Sequence, residues 1–85
     1  DSSAQELVEQ SRRQRLDGAR RVVKRLAELD ALNAGLRVDE AADVAWLVGD
    51  PALYDRLVRE RGWSTRRFEE WLARTLVRQL LGAAT

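Results

Sequence analysis

The sequence predicts an all-α fold: four helices in an antiparallel helical bundle, made dimeric through an intermolecular four-helix bundle. Two observations carry the fold class. Apolar residues recur at three- and four-residue spacing through both long segments, and no stretch alternates β-branched with polar residues as a half-buried strand would. A third observation carries the dimer: from Ala41 to Val48 the sequence reads AADVAWLV, with Asp43 its only polar side chain.

The first helix is expected to open at Ser3, which precedes Glu6 by the three residues of a capping box, and to run to about Leu32. On a helical wheel Val8, Leu16, Ala19, Val22, Val23, Leu26 and Leu29 share one arc, the face expected to be buried. Asn33-Ala34-Gly35 follows, with Gly35 suited to the left-handed conformation beyond a helix end. Asp39 is the expected cap of a second helix reaching Val48. Gly49-Asp50-Pro51 closes that helix and opens a third, with Asp50 as cap and Pro51 at the first helical position, where its missing N–H costs nothing. Gly62 stops the third helix. Ser64 caps the last, which continues to Leu81 before Gly82, and Trp63 and Phe68 occupy the two positions of a hydrophobic staple.

A surface helix of a small monomer shows a polar face, and the second helix shows almost none. Burial from two sides follows, and a second copy of the chain supplies the missing cover; a wholly intramolecular core helix is the alternative. The small Ala41, Ala42 and Ala45 suit close helix-to-helix approach. The last helix has a matching stripe of Phe68, Trp71, Leu72, Thr75, Leu76 and Leu80. Two such helices from each of two chains make a four-helix bundle.

With 85 residues the chain is one domain or part of one, large enough for a modest core only. Its 15 basic and 14 acidic residues leave a net charge of +1, so no overall field draws in an anionic polymer. Cysteine is absent, which rules out a disulfide framework and thiolate chemistry and suits a reducing compartment such as the cytoplasm. No apolar run approaches the roughly 18 residues of a membrane span, so no membrane partner is expected. Methionine is absent too, and a chain opening at Asp1 is expected to have been processed, cut out or taken from something longer.

The run SRRQRLDGARRVVKR, residues 11–25, has seven basic residues against one acid and invites a nucleic-acid reading. Its charges are placed otherwise. Glu9, Arg13, Asp17 and Arg21 alternate in sign at intervals of four, and Lys24 with Glu28 repeats the pairing, which describes a solvated helix face. Arg12 and Arg15 lie within the apolar arc and either snorkel past the core edge or meet an anionic ligand in a cavity.

With neither His nor Cys, the commonest general base, the commonest thiol nucleophile and the best zinc ligands are missing. The adjacent acids Asp39/Glu40 and Glu69/Glu70 diverge on a helix, and neither a phosphate loop nor a nucleophile elbow is present. No enzyme activity, cofactor or metal is expected. Trp46, on the apolar helix, could form core, dimer seam or the wall of a ligand pocket.

The run VDEAADVAWLVGDPALYDRLVRERGWSTRRFEEWLARTLVRQLLG, residues 38–82, resembles the C-terminal end of TetR-type transcriptional regulators of high-GC bacteria. VDEAADV, LYDRLVRERGWS and EEWLARTL before a terminal LLG carry the resemblance, and the preceding GARRVVKRLAELDALNAGL is similar to the helix and turn that come before in that family. GDPALY replaces a Ser-Pro opening, and WSTRRF lacks the Pro and Tyr that often follow WS, yet both keep the capping logic. The resemblance implies a homodimeric regulatory domain that binds a small effector between helices, most often in a repressor. Operator DNA would be touched only by an N-terminal helix-turn-helix domain that these residues do not include. In that frame Ala42, Ala45, Trp46, Leu72, Leu76 and Leu80 are expected at the dimer seam, and Arg12, Leu16, Ala19 and Val23 on the pocket side. The rival reading is a helical oligomerisation or partner-binding module without a small-molecule ligand.

Overall fold

In the computed structural model, which describes residues 2–82, helix α1 spans Ser2–Glu28. Ser3 therefore lies inside the helix rather than ahead of it. The C-terminus comes at Glu28, earlier than the expected Leu32, and a different residue provides the left-handed stop. Asp30 has φ 55, and around it the Asp30 N–H donates to Ala27 O at 3.0 Å and the Ala31 N–H to Leu26 O at 2.9 Å. This is a Schellman closure. The chain leaves the helix early because residues 31–33 are engaged by the far end of the molecule. The Asn33 N–H donates to Leu80 O at 2.8 Å and the Gly82 N–H to Ala31 O at 2.9 Å, an antiparallel bridge of Leu32 with Leu81. Glycine at position 30 would avoid the Cβ clash of the left-handed region, so Asp30→Gly is expected to stabilise the fold by about 1 kcal/mol in a urea titration. A loss of stability would show that the aspartate side chain contributes more than its backbone costs.

Helix α2 spans Val38–Val48 and is capped by the backbone geometry of Arg37, with no side-chain cap bond. Asp39, the expected cap, sits in the first turn instead. There its carboxylate accepts from the Glu40 N–H at 3.0 Å and faces Arg37 Nε at 3.7 Å, a placement that the positive end of the helix dipole favours.

The apolar character of α2 is used largely within one chain. Helix α1 packs on one side and the last helix, α4 (Thr65–Leu80), on another. Val23 of α1, Ala41 and Ala42 of α2 and Leu80 of α4 form the buried centre, where two alanines in succession let the helices come close. Leu26, Leu36, Val44 and Leu76 close around it, each half-buried.

Between α2 and α4 the chain makes a corner. Asp50 caps the short α3 (Pro51–Tyr54) by accepting from the Ala52 N–H at 2.9 Å. A wider π-helical turn continues it over Asp55–Glu60, closed by the Arg61 N–H on Arg56 O at 3.1 Å, where the sequence predicts an ordinary α-helix. Gly62 ends it with φ 76, a conformation that strains any other residue. Ser64 caps α4 through the Arg67 N–H at 3.1 Å.

Aromatic rings weld this corner to α4. Trp63 meets Trp71 edge-on at 6.2 Å, Trp71 tilts against Phe68 at 5.9 Å, and Phe68 meets Tyr54 edge-on at 5.3 Å. The staple is thus a relay in which Trp63 and Phe68 both pack on Trp71. The Arg67 guanidinium lies 3.9 Å above the Trp63 ring, in cation–π range.

The buried face of α1 is narrower than the wheel suggests. Val23 is buried and Leu16, Ala19 and Leu26 are half-buried, but Val8, Val22 and Leu29 are exposed. For Val8 the reason is length: α2 has 11 residues against 27 in α1 and covers only the C-terminal part of it, while Leu29 lies beyond the helix end. Residues 2–14 are exposed throughout. The radius of gyration, 14.8 Å, accordingly exceeds the roughly 12 Å of a compact chain of this length.

Candidate functional site

Where α1, α2 and α4 meet, a groove of about 280 Å³ opens. Its α1 wall is Gly18, Ala19 and Val22, with Arg15 one turn towards the N-terminus. Ala45, Trp46 and Gly49 of α2 and its C-terminus form the opposite wall, and Leu76 and Leu80 of α4 complete it. The lining is apolar except for Arg15. This follows from the sequence: two amphipathic helices turn their stripes onto a helix that is apolar nearly all round.

Two expected sets of residues converge here. Ala45, Trp46, Leu76 and Leu80, expected at a dimer seam, share the groove with Ala19, expected on a pocket side. The others lie elsewhere. Ala42 is covered by its own chain, which leaves it little surface for a second copy, and Val23 is fully buried core with no face towards a ligand. Leu16 and Leu72 are half-buried outside the groove lining. Arg12 is exposed on the projecting half of α1, beside Ala4, Gln5, Val8 and Glu9.

The structure separates the two cations of the apolar arc. Arg15 folds across to the start of α3, where Nη1 stands 3.9 Å from Asp50 Oδ1, with both side chains more than a third exposed or close to it. At that distance and exposure the pair contributes less than about 1 kcal/mol. The Arg15 Nε is shielded from solvent and has no hydrogen-bond partner. Sequence reading singled out Arg15 but saw Asp50 only as a helix cap, because their meeting depends on how α1 packs against α2, whose end leads into Asp50. Gly18 carried no sequence signal beyond the cost of glycine in a helix. A Cβ at that position would meet nothing closer than Arg21 Nη2 at 3.9 Å. Gly18→Ala is therefore expected to stabilise α1 by about 0.5–1 kcal/mol while narrowing the groove, as read by urea unfolding. Destabilisation would mean that the groove wall is tighter than this geometry.

The basic stretch behaves as a solvated face, with altered pairing. Glu9 and Arg13 pair at 3.9 Å as the ladder predicts, but Asp17 pairs with Arg20 at 3.5 Å instead of Arg21, and Glu28 with Arg25 at 3.4 Å instead of Lys24. Three-residue spacing serves as well as four on a helix. Such a chain is expected to pass through a heparin column at moderate salt, and retention with steep salt dependence would restore the nucleic-acid reading.

A larger hollow, about 560 Å³, lies between Arg20 and the start of α2, but Arg37, Asp39 and Asp43 give it charges of both signs that partly pair with each other. Among the described residues, no group of three His, Cys, Asp or Glu side chains is placed to hold a metal ion, and no helix is long and apolar enough to cross a membrane. Comparison with protein-family models, curated proteins and solved structures gave no match.

Proposed function

We propose that the chain is the ligand-sensing and dimerisation domain of a TetR-type transcriptional regulator, a cytoplasmic repressor whose operator contacts belong to a helix-turn-helix domain outside these residues. The observation that carries this reading is the apolar groove at the junction of three helices, walled by Trp46 and opening beside α4. Ligand sites in helical proteins are typically built this way, between helices and with few polar groups. The resemblance of residues 38–82 supplies the regulator.

The surface supports a homodimer. The chain exposes 6713 Å², whereas a compact monomer of this size exposes roughly 5,100 Å². The excess, roughly 1,600 Å² per chain, is about twice what each partner of a standard-sized interface buries. Leu47, Val77 and Val22 contribute to it, each more than half exposed. In this reading α2 and α4 of two chains form an antiparallel four-helix bundle, with Trp46, Leu72 and Leu76 at its seam.

A second reading has its own support. Ala45, Trp46 and Leu76 serve both groove and seam, so a partner copy could fill the groove and leave a pure oligomerisation module. A thermal-shift screen with aromatic and lipophilic compounds separates the two. A sensor is stabilised by about 2.7 kcal/mol when a ligand is present at a hundredfold excess over its dissociation constant. That stabilisation should vanish in a variant with Trp46→Ala that still folds. A tight dimer unresponsive to every compound would favour the module.

A further inference from the structure

We infer that the groove takes a compact amphipathic monocarboxylate, an apolar body against Trp46 with its carboxylate on the Arg15 guanidinium. This rests on the sensor reading above and gives its ligand a chemical class.

The groove is small and apolar, and at about 280 Å³ it suits one or two rings rather than a long chain. Its one charged lining residue is Arg15, which stands at the end of the α1 wall. The pairing of Arg15 with Asp50 is loose, and it engages Nη1 alone. Asp50 is meanwhile committed to α3, since the same Oδ1 accepts from the Ala52 N–H. The Nε edge of the guanidinium therefore has a donor without an acceptor, in a place that water does not reach. A desolvated donor of this kind gains more from an arriving acceptor than a solvated one, and a guanidinium grips carboxylates with two parallel N–H bonds. The side chain is about a third exposed, so a turn of its long stem presents the Nε edge at the mouth.

The charge count selects the ligand. One cation with a carboxylate already nearby favours a monoanion over a phosphate or dicarboxylate, which would meet Asp50 unfavourably. The opposing charges close to the site are Arg15 and Asp50, and Asp17 on the next turn of α1 is held by Arg20.

The test is a titration of the whole chain with 2-naphthoate and with neutral 2-naphthamide, followed by the indole N–H signal of Trp46 in NMR spectra. Naphthoate is expected to bind about tenfold tighter than the amide, the margin that a charge-assisted hydrogen bond supplies at a half-exposed mouth. Arg15→Gln should erase the preference while leaving amide binding in place. Asp50→Asn keeps a helix cap and removes the competing carboxylate, and it should tighten naphthoate severalfold. Equal binding of acid and amide to the unaltered chain overturns the carboxylate assignment but leaves the sensor reading intact. A preference that survives Arg15→Gln moves the anchor to another residue and overturns the role of Arg15. If neither compound perturbs Trp46, the carboxylate site is overturned, and the broader screen then decides the sensor reading separately.

Discussion

Val23→Asp is expected to unfold the chain at room temperature. Val23 has no exposed surface and lies among Ala41, Ala42 and Leu80, so a carboxylate there is cut off from water and has no cation beside it in this cluster. Burying an unpaired charge costs several kcal/mol, and a domain of 85 residues has only about 4–13 kcal/mol of stability to lose. Val23→Ala provides the milder comparison. It removes two methyl groups from the centre and should cost about 2 kcal/mol while leaving the groove lining as it is. Circular dichroism and urea titration measure both. If Val23→Asp melts cooperatively at the native temperature, Val23 faces solvent or a ligand, and the centre of the fold has been placed wrongly.

Leu76→Glu is expected to dissociate the proposed dimer. Leu76 is half-buried, borders the core cluster and lines the groove, and in a two-fold bundle one substitution places two carboxylates close together. Uncompensated charges in such a seam cost about 3–5 kcal/mol each way, enough to shift the equilibrium to monomers or to unfold them. Sedimentation velocity distinguishes the outcomes. A variant that remains dimeric and equally stable would remove Leu76 from the seam.

Much of the fold was legible because its signals are local. Asp50-Pro51, Gly62 and Ser64 each place a helix end through chemistry that involves residues at most three apart, and all three act as the sequence indicates. The end of α1 was not legible. Gly35 is the better left-handed residue, yet Asp30 takes that conformation because Leu32 is drawn into a bridge with Leu81, nearly fifty residues away. Tertiary pairing outweighed a preference of about 1 kcal/mol. The π-helical turn after Tyr54 likewise has no local marker; it precedes the aromatic relay that fixes Trp63, Phe68 and Trp71.

The site was half legible for a related reason. Periodicity assigned Ala45, Trp46 and Leu76 to one apolar surface, and the structure gathers them at one groove. Periodicity does not say how far a neighbouring helix extends, so the wheel of α1 placed Val8 inside although α2 is too short to reach it, and Val22, which the wheel also placed inside, lies at the open groove. It also could not tell Arg12 from Arg15, which are three residues apart on the same arc. Their difference comes from the packing of α2 on α1, which brings Asp50, just past the end of α2, to Arg15 and leaves Arg12 on the free half of the helix.

A native mass spectrum of the whole chain, recorded with and without 2-naphthoate, tests the central claim most directly. Two chains with one ligand each, and loss of the ligand in a folded Trp46→Ala variant, are the expected result. A single chain that carries no ligand at micromolar concentration would contradict it.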